Sequence, residues 1–248
     1  LRFAGVDITK APVLISPTCH YSMGGLEMAD FHTGATRVPG IFTAGEASCV
    51  SVHGANRLGA NSLSEVLVFG KTAGAGAAAY AKEHSYEGNQ DALTAGCAKW
   101  KDIFDQVTAR PHAGNRTIPE IRDAMVDTMW FKAGVFRNGS QLEEAAKELH
   151  ALEEDYKNCF VGDSSHVYNT AFAQYVELGN MLQISHAIVQ GAIARKESRG
   201  GHSRRDFPKR DDVNFLKHTL IFKKPDGSYA AEYQDVVITK YPPQERKY

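Results

Sequence analysis

Apolar and polar positions change their period along this chain, and the changes divide it. Between residues 138 and 158, apolar side chains recur every three or four positions at Leu142, Ala145, Ala146, Leu149 and Leu152, with acidic residues between them. That spacing gathers one apolar stripe and predicts a helix over 138–158 with its acidic face in solvent. Stretches of the same kind over 118–137 and 164–198 each open at a capping residue, and a shorter one covers 91–106 before a break at Pro111. Together they predict a helical bundle. Upstream, 62–84 reads as one long helix whose small side chains let other backbone pack closely, with Asn61 or Ser62 as its N-cap. Residues 1–63 instead carry glycine, proline and short unbroken apolar runs. Two of these, Val13-Leu14-Ile15 and Gly40-Ile41-Phe42-Thr43-Ala44, predict buried strands that end in loops. After a loop over 199–216, residues 218–222 and 229–239 read as strands around a Pro225-Asp226-Gly227 turn. The expected fold class is α+β, in three regions: 1–84 with the candidate chemistry, a helical bundle over 85–198, and a loop and β-hairpin tail over 199–248.

Composition narrows the function classes without choosing one. With 43% hydrophobic and 23% charged residues the chain is ordinary for a globular protein, and a formal net charge of -1 calls for neither nucleic acid nor an acidic membrane surface as partner. Cys19, Cys49, Cys97 and Cys159 are scattered with no C-x-x-C pair, which argues against a zinc site or iron–sulfur cluster in this chain and suits a reducing compartment. No apolar run approaches the roughly 20 residues needed to span a bilayer. Arg195, Lys196, Arg199, Arg204, Arg205, Lys209 and Arg210 form a basic stretch, but Glu197, Asp206, Asp211 and Asp212 offset it, so a solvated or subunit-facing loop is expected. Gly74-Ala75-Gly76-Ala77-Ala78-Ala79 satisfies G-x-G-x-x-A. It lies inside a helical pattern and lacks an acidic residue about 20 positions on, so it is rejected as a dinucleotide fingerprint.

The candidate chemistry lies in residues 53–63, His53-Gly54-Ala55-Asn56-Arg57-Leu58-Gly59-Ala60-Asn61-Ser62-Leu63. Arg57 offers a planar, permanently charged fork that can grip a carboxylate through two parallel hydrogen bonds, and the flanking glycines let backbone approach a ligand. The helix start that follows carries free N–H groups and partial positive charge. Spacing alone leaves open a tight turn with a helix cap. His20, in a loop after an apolar run, can hydrogen-bond a carboxylate, and Glu46 follows Gly45 at the end of an expected strand, where a carboxylate can accept from sugar-like hydroxyls. His53 is set aside as a loop histidine, and Tyr21 and Met23 are expected to pack.

Three motifs occur in order: Pro17-Thr18-Cys19-His20-Tyr21-Ser22-Met23-Gly24-Gly25, then Val38-Pro39-Gly40-Ile41-Phe42-Thr43-Ala44-Gly45-Glu46, then the 53–63 stretch. This order resembles the flavoprotein subunit of succinate dehydrogenase and fumarate reductase. The resemblance continues through Glu197-Ser198-Arg199-Gly200-Gly201-His202-Ser203-Arg204, Asp206-Phe207-Pro208 and a closing Pro242-Pro243-Gln244-Glu245-Arg246-Lys247-Tyr248. It implies that residues 1–84 are the C-terminal part of an FAD-binding α/β domain. Family members are more than twice as long, so the resemblance implies the C-terminal part of such a subunit. The first nucleotide-binding fingerprint, the histidine bonded to FAD, most of the capping domain and the proton-transferring arginine would then lie upstream, leaving no catalytic residue and no metal ligand to assign here. By the same resemblance His20 and Arg57 bind substrate, Glu46, Ser62 and Leu63 contact FAD, and Ala60 is a weaker candidate for the substrate wall. The implied partners are the N-terminal half of the subunit, an iron–sulfur subunit that receives electrons, and succinate or fumarate. The implied location is the cytoplasmic face of a bacterial membrane, reached through other subunits, and the isolated chain is expected to be inactive. An L-aspartate oxidase shares the HGANR theme, but the Leu58-Gly59-Ala60 continuation and the 197–204 motif favour the respiratory enzymes. A stand-alone helical interaction module is the alternative from another class, and it leaves His20, Glu46 and Arg57 unexplained.

Overall fold

Asn138 accepts a hydrogen bond from the Gln141 N–H at 2.9 Å, and this cap starts a helix whose stripe Leu142, Ala145, Leu149 and Leu152 is buried as its spacing requires. In a computed structural model that describes residues 5–15, 18–84 and 88–244, the elements in chain order begin with β1 (Leu26–Glu27), β2 (Ser48–Cys49), α1 (Gly59–Glu83) and α2 (Gln90–Thr108). There follow α3 (Ile118–Ala133), β3 (Phe136–Arg137), α4 (Gly139–Asn158), α5 (Thr170–Ala194), β4 (Ser203–Arg204), β5 (Lys217–Lys223) and β6 (Tyr229–Asp235). The mixed architecture is α+β, as expected. Pro17 and the closing 245–248 segment lie outside the described residues.

The core lies among α3, α4 and α5, where Ile121, Leu142, Leu149, Leu178, Leu182 and Val189 are fully buried. α3 opens with a reciprocal capping box between Thr117 and Glu120 and stops at Ala133, where Arg137 Nε donates to the carbonyls of Ala133 and Gly134, both at 2.9 Å. The helix expected to run to 137 therefore ends four residues early, and Arg137 belongs to β3, which pairs in parallel with β4. α5 starts at Thr170 and not at 164, because the side chain of Asn169 takes the carbonyls of Asp163 and Ser165 and its oxygen caps the Phe172 N–H. It stops at Ala194, short of 198, where the Arg195 guanidinium turns back to Lys217 O and Thr219 Oγ1, both at 2.9 Å. β5 and β6 form an antiparallel hairpin in register Lys217↔Asp235 to Lys223↔Tyr229 around Gly227, and β6 ends at Asp235. α2 lies at the margin, resting Trp100 and Phe104 on Phe172.

The N-terminal region departs from expectation. Val13, Leu14 and Ile15 form no strand, and Leu14 and Ile15 are 99% and 92% exposed. Residues 40–44 form no strand either. They close an irregular turn in which Thr36 N–H donates to Ile41 O at 2.9 Å and Thr43 N–H to Gly34 O at 3.0 Å. A buried strand needs a neighbour for its backbone groups, and among the described residues this region forms the two-residue parallel pair β1·β2 and isolated antiparallel bridges, Asp30 with Ala35 and Ala35 with Phe42, that extend into no strand. The small residues of α1 do admit close packing: a Cβ on Gly76 would lie 2.1 Å from Thr33 O, and one on Gly34 would lie 2.6 Å from Ala73 Cβ. Gly74 to Ala79 is helical throughout, in keeping with rejection of that segment as a phosphate loop.

Burial also sets a pH response. His186 is depressed by burial between α4, α5 and the Tyr229 ring, despite Glu153 at 3.6 Å; His150 and Lys223 add to the depression. His202 and His218 are depressed by burial first and then by neighbouring arginines. A histidine depressed in the folded state takes up its proton more readily when unfolded. Its contribution is therefore intact above the unfolded pKa near 6.5 and is lost as pH falls toward the folded value. Urea midpoints are expected to fall between pH 7.5 and 5.5, before the carboxylates of Asp206 and Glu197, both held below their ordinary values, begin to protonate. A flat profile over that interval would contradict the histidine contribution.

Candidate functional site

The loop after β2 is held from several sides. Ser51, with φ +61, places its hydroxyl 2.9 Å from His218 Nε2 on β5. Gly201 N–H donates to Ala55 O at 2.8 Å, and Gly200, at φ +56, lies so close that an added Cβ would meet the same oxygen at 2.3 Å. The 197–204 motif thus fastens the loop that carries Arg57. The basic stretch around it is solvated only in part: Lys196, Arg205, Lys209 and Arg210 are exposed, whereas Glu197 and Arg204 are buried in ion pairs with Arg195, Arg199 and Asp206. Burial alone would raise the Glu197 pKa, but the Arg199 hydrogen bond, the Asp211 N–H and both arginine charges hold it low.

Arg57 is buried, and its guanidinium is already engaged. Nε donates to Ser62 Oγ at 2.8 Å and Nη2 to Glu65 Oε2 at 2.7 Å, while its backbone N–H reaches Met23 Sδ at 3.0 Å. Arg57 Cζ lies over the Tyr21 ring, 5.8 Å from its centre, and His20 meets the same ring edge-on at 4.5 Å. The structure therefore brings His20 and Arg57 to one aromatic side chain, with His20 exposed. Glu46 is exposed and accepts from Ser22 N–H at 2.9 Å. It stands in a 3-10 turn over Gly45–Ala47, not at a strand end, because Ser48 Oγ closes the turn on Gly45 O at 2.7 Å.

α1 begins at Gly59, and neither Asn61 nor Ser62 caps it. Leu58 occupies the N-cap position without a side-chain bond. Asn61 is drawn to Val52 O at 2.9 Å, and Ser62 Oγ sits between Arg57 Nε and Leu58 O. The Ser62 N–H is spent on Leu58 O, so the N–H groups of Gly59, Ala60 and Asn61 are those with no partner among the described residues. Leu63 is 69% exposed beside them. An uncapped, positively polarised first turn can stabilise negative charge on a bound group such as a reduced flavin ring.

The sequence singles out no role for Glu65 and expects Tyr21 and Met23 only to pack. For Glu65 a signal existed: it is the one charged residue between Ser62 and Gly70, inside an otherwise apolar helical run, where burial demands a partner. For Tyr21 and Met23, nothing in the pattern distinguishes packing from contact with Arg57.

A profile described as the C-terminal part of fumarate reductase flavoproteins matches residues 122–248, and one described as an FAD-binding domain matches residues 1–63. The 8-methylmenaquinol:fumarate reductase flavoprotein subunit of Wolinella succinogenes is 42% identical over 248 residues, 100% of this chain and 40% of that protein. The succinate dehydrogenase flavoprotein subunit of Rickettsia bellii is 37% identical, covering 99% of this chain and 43% of its own length. A solved Escherichia coli quinol fumarate reductase flavoprotein chain superposes with a TM-score of 0.87 at 39% identity, over 98% of this chain and 41% of that one. The chain thus spans about 40% of the relatives it matches.

Proposed function

This chain belongs to the fumarate reductase and succinate dehydrogenase flavoprotein family, and we propose that it supplies part of the substrate grip and part of the flavin pocket of an enzyme interconverting succinate and fumarate. The observation that carries the reading is the meeting of His20 and Arg57 on Tyr21, beside the uncapped first turn of α1. Arg57 takes one carboxylate of a four-carbon dicarboxylate through its fork, and His20 hydrogen-bonds the other end. Holding both ends fixes the central C–C bond, and orientation of that kind can supply a large share of a rate enhancement. Glu46, Ser62 and Leu63 would hold FAD, together with the unpartnered N–H groups of Gly59, Ala60 and Asn61. When bound, FAD supplies the two-electron redox chemistry. Glu46 is suited to hydroxyl groups because its exposed carboxylate has acceptor capacity beyond the Ser22 N–H.

The three-part division follows the same reading, with residues 1–84 carrying the site, 85–198 the helical domain and 199–248 a tail; among the described residues the tail meets the site region through Gly201 and His218 and the helical domain through His202, 3.1 Å from Arg137 Nη1, and Arg204, which donates to Ala192 O at 2.6 Å. The N-terminal half of a longer subunit would complete the flavin pocket. Electrons would pass to an iron–sulfur subunit, and the assembly would sit at the cytoplasmic face of a membrane through other subunits. Among the described residues, no helix is long and apolar enough to cross one.

The test is turnover by the FAD-loaded enzyme assembled with this chain, using a dye as electron acceptor or donor. Succinate oxidation or fumarate reduction is expected, with no oxidation of aspartate. Aspartate oxidation without succinate turnover would overturn the reading in favour of an aspartate oxidase.

A further inference from the structure

Glu65 presents a carboxylate with no side-chain exposure inside an apolar helix, a costly placement unless every oxygen is engaged. Both are. Oε1 accepts from Gly45 N–H at 2.9 Å, in the turn that carries Glu46, and Oε2 accepts from Arg57 Nη2 at 2.7 Å. Ser48 Oγ also lies 3.5 Å from Oε1, and His53 faces the same group. Asn61 Nδ2 lies 3.1 Å from His53 Nδ1 while donating to Val52 O, and an amide nitrogen can only donate. His53 Nδ1 is therefore the acceptor, and its proton sits on Nε2, which is buried without a hydrogen-bond partner and lies 3.7 Å from Glu65 Oε2.

The way Arg57 is held follows from this. Its guanidinium has five N–H bonds and two edges able to receive a carboxylate in parallel. Ser62 Oγ and Glu65 Oε2 occupy the edge made by Nε and Nη2. The edge made by Nη1 and the second Nη2 proton has no partner among the described residues, and Cζ lies over the Tyr21 ring, 5.8 Å from its centre. We propose that Glu65 is the positioning residue of Arg57: with Ser62 it clamps the inner edge of the guanidinium, aims the outer edge at the substrate carboxylate, and ties that aim to the Glu46 turn through Gly45.

This rests on Arg57 as the carboxylate-binding residue, and the opposite reading makes a different prediction. If Glu65 instead competed with substrate for Arg57, removing its charge would tighten binding. The measurements are calorimetric binding of malonate, a dicarboxylate with no C–C bond to dehydrogenate, and kcat and KM for succinate, on the FAD-loaded enzyme carrying Glu65→Gln. With flavin content unchanged, malonate affinity and kcat/KM are each expected to fall on the order of 10²-fold, the scale of an ångström-level misplacement. In parallel, the 15N-resolved Nη–H signals of Arg57, identified by their loss in Arg57→Lys, are expected to include a proton protected from exchange in the native protein and to lose that protection in Glu65→Gln. Ser62→Ala, which keeps the charge and removes the other half of the clamp, is expected to raise KM several-fold and serves if Glu65→Gln fails to fold. Native or tighter malonate binding in Glu65→Gln, or native KM in a folded Ser62→Ala, would overturn the proposal. Failure of the unaltered enzyme to bind malonate at all would instead sink the assignment of Arg57.

Discussion

Arg57→Ala is expected to remove turnover and to destabilise the fold, and the two losses have separate causes. Two charge-assisted hydrogen bonds to a substrate carboxylate, at about 1.5–3 kcal/mol each, correspond to a fall in kcat/KM on the order of 10²–10⁴. The stability loss comes from Glu65. Its side chain is 0% exposed and that of Arg57 only 4%, so deleting the cation strands a buried carboxylate, a change that costs about 3–5 kcal/mol. The double variant Arg57→Met with Glu65→Gln removes both charges and keeps the volume near that of the pair. It is expected to recover most of the urea stability and none of the turnover. Retained succinate turnover in Arg57→Ala would remove Arg57 from the substrate site, and a double variant as unstable as the single one would show that the stranded charge is not the cause.

Glu197→Ala is the second large effect, and it falls on the tail. Glu197 is fully buried, receives Arg199 through both oxygens at 2.8 and 2.9 Å, receives Arg195 Nε at 2.9 Å, and takes the Asp211 N–H at 2.8 Å. Its removal leaves two half-buried guanidinium groups without their shared anion and orphans a backbone donor, for a loss of about 3–5 kcal/mol. Glu197→Gln keeps an acceptor for Asp211 and is expected to cost less. Because the Gly200-Gly201 turn that follows holds Ala55 O, loosening it also frees the Arg57 loop, so substrate KM is expected to rise in the same variant. Urea denaturation together with KM decides the matter; unchanged stability would mean that the ion cluster breaks even against solvation.

The helical half was legible because its signals are local. The stripe of Leu142, Ala145, Leu149 and Leu152, the Asn138 cap and the Pro225-Asp226-Gly227 turn each depend on residues a few positions apart, and all appear as read. The boundaries that failed were decided at a distance. Arg137 ends α3 by folding back on it, Asn169 delays α5, and Arg195 leaves the helix to reach β5. The strands expected at 13–15 and 40–44 failed for a related reason: an apolar run states that it prefers burial, but a strand also needs a partner backbone.

The sequence by itself determined the family, through three ordered motifs, and named His20, Glu46 and Arg57, because their residue types and flanking glycines are written in the chain. Only the tertiary structure decided what Arg57 is bonded to. Glu65 is eight residues on, Tyr21 and Met23 more than thirty before, and Gly200-Gly201 over a hundred beyond. Contacts across such separations depend on how α1, the Gly45 turn and the tail are packed together, and no local period records that.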